Sequence, residues 1–73
     1  MLQTLHFQLR SGEDHIPLIQ LLKAVSVVDS GAEAQAVVMQ ARVQLNGQIE
    51  LRKRAKVRKG DVVLFEEIEI HIQ

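Results

Sequence analysis

Val43-Gln44-Leu45-Asn46-Gly47-Gln48-Ile49-Glu50-Leu51 is the most decisive stretch of the chain. Val43 and Leu45 alternate with Gln44, and Ile49 and Leu51 alternate with Glu50. Each arm therefore has the two-residue period of a half-buried strand. Asn46-Gly47 sits between the arms. A two-residue hairpin loop of type I′ needs positive φ at both central residues, and Asn-Gly adopts it at little steric cost. The spacing predicts an antiparallel hairpin over 43–51.

Downstream of the hairpin the charge is uneven. Arg52, Lys53, Arg54, Lys56, Arg58 and Lys59 place six of the nine basic residues in one window that holds no acid. Asp61, Glu66, Glu67 and Glu69 follow, with no base among residues 61–69. A local positive block of this kind is either a solvated surface connection or an anion-binding patch. Gly60-Asp61 marks a second turn, and Val62 to Phe65 is a short apolar run suited to a strand. Ile68, Ile70 and Ile72 alternate with Glu69, His71 and Gln73, predicting a last strand whose outward acids guard a sheet edge.

Upstream the period changes. Ser30 followed by Glu33 has capping-box spacing, with the hydroxyl on the Glu33 N–H and the carboxylate reaching back. Ala34, Val37, Val38 and Ala41 then share one helical face, with Gln35 and Gln40 off it. Leu-rich residues 16–25 predict a shorter buried helix, with Pro17 in its first turn and Asp14 or His15 as its cap. Leu5, Phe7 and Leu9 alternate with His6, Gln8 and Arg10, predicting a strand over 4–10 that Ser11 to Asp14 break. Helices and strands are segregated along the chain. The expected class is α+β: two short helices packed on one face of a small, mostly antiparallel sheet.

Composition narrows the function. At 73 residues and 8.2 kDa, the chain is expected to be a single domain spanning 1–73 with a small core. Cysteine is absent, which removes a disulfide framework, a thiolate zinc site and a cysteine nucleophile together. The only aromatics are Phe7 and Phe65, too few for recognition by aromatic base stacking. The N-terminus lacks the basic start and apolar run of a signal peptide, and no apolar stretch is long enough to span a membrane. The expectation is a cytoplasmic protein without membrane contact.

The catalytic inventory is thin. His6, His15 and His71 lie on separate elements with no metal-ligand spacing, and Ser11, Ser26 and Ser30 lack a nucleophile-elbow context. Gly31, Gly47 and Gly60 do not form a phosphate loop, and the adjacent Glu66 and Glu67 would face opposite ways in a strand. No enzyme activity, catalytic residue, metal, cofactor or small-molecule substrate is expected. The basic window remains. Guanidinium groups present forked donors that match phosphate, and Lys23 and Arg42 would extend the patch if the helices pack beside the hairpin.

Several pieces occur in a familiar order: Ser30-Gly31-Ala32-Glu33-Ala34-Gln35, Val43 to Gly47, Glu50-Leu51-Arg52-Lys53-Arg54-Ala55-Lys56-Val57, and Gly60-Asp61. Together they resemble the ribosomal-protein-S-four-like domain, the αL RNA-binding motif, in its stand-alone bacterial form of the YbcJ type. The resemblance covers about residues 4–65. It implies a module for structured RNA, ribosomal or transfer RNA, acting in translation or ribosome metabolism beside the ribosome or an RNA-processing enzyme. Carried over, Ser30 and Gly31 start the RNA-facing helix, and Asn46 and Gly47 shape the hairpin. Arg52, Lys53, Arg54 and Lys56 are the main basic contacts, with Lys23, Gln35, Arg42, Arg58 and Lys59 completing the expected interface. Two positions depart from the family pattern: Gln35 stands where many members carry Lys, and Ala41 where many carry Gly. The alternative reading is an adaptor that turns the same basic surface toward an acidic protein, or whose acids at 66–69 fold back onto the patch.

Overall fold

The computed structural model describes residues 2–73. Its elements are β1 (Gln3–Phe7), β2 (Ile16–Pro17), α1 (Leu18–Ala24), α2 (Gly31–Met39), β3 (Val43–Leu45), β4 (Gln48–Ile49), β5 (Lys56–Val57), β6 (Val62–Phe65) and β7 (Ile68–Ile72). Five strands form one sheet in the order β1-β7-β6-β3-β4, and β2 pairs with β5 in a second, two-stranded ladder. Every neighbour pair of the large sheet is antiparallel except β1 with β7. Two helices on a mostly antiparallel sheet are therefore observed as expected.

The hairpin forms where Asn-Gly places it. Asn46 has φ 52 and Gly47 φ 85, the pair of positive values a type I′ turn requires. Leu45 opposes Gln48 and Gln44 opposes Ile49. The second arm is shorter than its alternation predicts. β4 stops at Ile49, and both Ile49 and Leu51 are more than half exposed. β4 is the edge strand, so its side chains have a sheet neighbour on one side only.

The last strand departs from expectation in the opposite sense. β7 is not an edge but lies between β1 and β6. Leu5 aligns with Ile70, and His6 with His71. Glu69 therefore guards no edge and instead meets the His71 ring, Oε1 to Nε2 at 2.6 Å. The β1 strand is shorter than 4–10, although Leu9 N–H still donates to the Gln73 carbonyl at 2.9 Å.

The first helix starts in an unexpected way, whereas the second starts where its capping spacing places it. Ile16 and Pro17 are taken by the ladder with β5, which delays α1 to Leu18. Pro17 is its N-cap residue with no side-chain cap, while Asp14 bonds His15 instead. The free N–H groups of Leu18 and Ile19 donate to the carbonyls of Ala55 and Lys53, at 2.9 and 3.1 Å. At α2 the Glu33 N–H donates to Ser30 Oγ at 3.1 Å as predicted. The Glu33 carboxylate reaches back one residue further, accepting from the Asp29 N–H. Ala41 falls outside the helix, exposed, at φ 60, so it does not complete the buried face.

The core joins Leu18, Leu21 and Leu22 of α1 to Ala34, Val37 and Val38 of α2. It is completed by Val43, Val63, Phe65, Ile70 and Ile72 from the sheet. Residues of β6 and β7 alternate between buried and half-buried, so one sheet face is covered and the other is wet. Among the described residues, no helix is long and apolar enough to cross a membrane.

Candidate nucleic-acid interface

The basic window is fastened to the core by its two apolar residues. Ala55 and Val57 are buried, while Arg52, Lys53, Arg54, Lys56, Arg58 and Lys59 are exposed. In extended chain successive side chains take opposite sides. Burying Val57 therefore turns Lys56 and Arg58 outward together, while Arg54 is exposed on the turn that the Ala55 N–H closes on the Arg52 carbonyl at 3.1 Å. Arg52, Arg54, Lys56 and Arg58 line one shallow concavity around Ala55. The β2 ladder and the two carbonyls that cap α1 hold this segment's main chain in place.

Charge in the window is mostly uncompensated. The Arg52 guanidinium binds Glu50 through Nε and Nη2, at 3.1 and 3.2 Å. These bonds hold the Glu50 carboxyl below the usual carboxylate range and raise Arg52. Among the described residues, Lys53, Arg54, Lys56, Arg58 and Lys59 have no carboxylate in ion-pair contact. Asp61, next in sequence to the block, binds the block's main chain and the hairpin and not its side-chain cations. Its Oδ2 accepts from the Arg58 backbone N–H at 2.7 Å and its Oδ1 from Asn46 Nδ2 at 3.1 Å.

The other expected residues divide by what they already touch. Asn46 also accepts from the Val62 N–H at 2.9 Å, so its amide ties the hairpin to the start of β6 and to Asp61 just before it. Arg42 binds Glu66 and Gln40, with its guanidinium 5.4 Å from the Phe65 ring centre. Glu66 thus folds back onto Arg42, not onto residues 52–59. The Lys23 stem passes Gly31: a Cβ on Gly31 would stand 3.9 Å from Lys23 Cδ. This brings Lys23 to the start of α2 beside Ser30. Gln35 reaches the basic window across Met39 and Leu51, and together with Arg52, Lys53 and Arg54 they line a second concavity. Arg58 and Lys59 also border a groove with Arg10, Glu13 and Asp14.

Met39, Leu51 and Arg10 were not expected at this surface. Met39 was legible, because it stands four residues after Gln35 and so shares its side of the helix. Leu51 was not, since its alternation with Ile49 reads as an inward position. The histidines also behave unexpectedly. The parallel β1–β7 pairing sets His6 beside His71 with ring centres 5.5 Å apart. Among the described residues no group of three or more His, Cys, Asp or Glu is placed to hold a metal ion.

The chain is similar to known proteins in both sequence and fold. A family model described as S4 domain matches residues 7–73. YbcJ of Escherichia coli (strain K12) is 37% identical over 51 residues, which are 70% of this chain and 73% of that protein. YbcJ of Shigella flexneri matches to the same extent. The solution structure of E. coli YbcJ superposes with a TM-score of 0.73 at 30% identity, covering 99% of this chain and 90% of that one. That structure is described as revealing an αL motif involved in RNA binding.

Proposed function

The chain belongs to the S4 domain family, and from that premise we propose that it is a non-catalytic, single-domain module that binds structured RNA, ribosomal or transfer RNA. The observation that carries the reading is the alternation at 54–58: buried anchors at Ala55 and Val57, and outward cations at Arg54, Lys56 and Arg58, none of which is in ion-pair contact with a carboxylate among the described residues, Arg58 alone having one nearby in Asp14. Fixed cations in a row suit the sugar-phosphate backbone, which supplies affinity without reading sequence. The start of α2, with Lys23 beside Gly31, adds shape next to the charge. An RNA-binding role in E. coli YbcJ supports the same reading for this relative.

The Arg54→Ala, Lys56→Ala, Arg58→Ala triple variant tests it. These side chains are exposed and join no core contact, so the variant should fold like the parent. Total transfer RNA and ribosomal RNA are expected to bind the parent at low salt and to bind the variant far more weakly. Polyglutamate at equal charge is expected to bind neither. Unchanged RNA binding by the variant, or polyglutamate binding as tight as RNA, would favour the adaptor reading instead.

A further inference from the structure

We propose that the concavity lined by Gln35, Met39, Leu51, Arg52, Lys53 and Arg54 is a seat for one unpaired nucleobase of the bound RNA; this rests on the RNA-binding reading above. Met39 and Leu51 are 66% and 59% exposed, two of the largest apolar side chains left in solvent. They come from different elements, the end of α2 and the loop after β4, yet they meet in one depression. Its apolar part is a thioether and an isobutyl group on an open surface, which pack against a flat π face without any aromatic side chain. The same depression is lined by cations, of which Lys53 and Arg54 have no carboxylate in ion-pair contact among the described residues.

Exposed apolar side chains beside a run of cations match a ligand that is apolar on its face and anionic at its edge, which is a nucleotide. Gln35 supplies the polar reader. Its Nε2 lies 3.9 Å from Met39 Sδ, a weak contact that leaves its carbonyl oxygen and an N–H available to a base edge. A paired base in an A-form helix hides both its face and most of its edge, so the occupant is a bulged, looped or terminal nucleotide. The neighbouring phosphates then fall to Arg54 and Lys56. A cation at position 35 would serve a phosphate, whereas the amide found here serves a base.

The test compares an RNA duplex carrying one bulged nucleotide with the same duplex fully paired, by fluorescence anisotropy at fixed salt. The full chain is expected to prefer the bulged RNA by about fivefold, within the range of one sulfur–aromatic contact. The Met39→Ser, Leu51→Ser double variant changes only exposed groups and is checked for its fold by circular dichroism. It should bind both RNAs equally, with an unaltered salt dependence. Gln35→Ala should reduce the preference and change which bulged base is favoured. Equal binding of both RNAs by the parent, or a preference that survives the double variant, overturns the nucleobase seat and leaves phosphate-driven RNA binding standing. Binding to neither RNA overturns both. A dimer in sedimentation that Leu51→Ser dissociates would assign the patch to a second copy and overturn the proposal as well.

Discussion

At Ala41 the chain turns left-handed without a glycine. Its φ of 60 costs an L-residue about 1 kcal/mol, and the exposed methyl gains no packing in return. Glycine relieves that strain but adds freedom to the unfolded chain. The Ala41→Gly variant is therefore expected to gain about 0.5 kcal/mol, read as a higher urea midpoint at unchanged slope. A lower midpoint would show that Ala41 is not strained. The hydrophobic spacing hides this turn, because alanine is the best helix former and continues the 34, 37, 38 pattern, whereas the glycine that many family members carry at position 41 marks it. Glu50 makes a second prediction at this scale. Its folded pKa is depressed by Arg52, so the pair is fully formed at neutral pH and is lost as pH falls through that lowered value. A carboxyl carbon NMR titration should place the Glu50 midpoint below the ordinary glutamate range in the parent. It should return upward in Arg52→Ala. An identical midpoint in both proteins would dissolve the pair.

At the scale of elements, what is local was legible and what is distant was not. The Asn46-Gly47 turn, the Ser30 cap and the Gly60-Asp61 turn each depend on residues a few positions apart, and all three form. The β2–β5 ladder spans two residues on each side, too few for any period to show. It nevertheless decides where α1 begins and how the basic segment is held. The candidate interface was legible as charge, since the window stands out in the sequence. Its geometry was not, because the outward set depends on Ala55 and Val57 being buried. The anchoring can be tested apart from RNA. Val57→Ala should loosen the segment and speed amide hydrogen exchange at Leu18 and Ile19, whose N–H groups donate to Ala55 and Lys53. Exchange at those two amides that matches the parent would mean that the segment is held by other contacts.

Over the whole molecule, zero net charge conceals polarity of function. Acids and bases are equal in number, yet Glu50, Asp61, Glu66 and Glu69 are engaged at separate places and leave most of the 52–59 block open. The parallel β1–β7 pair joins the two ends of the described chain across the sheet. That closure was beyond sequence periodicity, because strand order is set by contacts more than sixty residues apart. It makes β7 a central strand and gives the sheet one covered face, against which the helices and the basic segment are set. An open cationic block on a fixed scaffold should release counterions from RNA in proportion to the phosphates it neutralises.

The most direct measurement is the slope of log binding constant against log salt for structured RNA, taken for the parent and for the Arg54, Lys56, Arg58 triple-alanine variant. The account predicts a steep negative slope for the parent and one shallower by about 2 to 3 units for the variant, roughly 0.7 to 0.9 per phosphate contact removed. Equal slopes in the two proteins would contradict it.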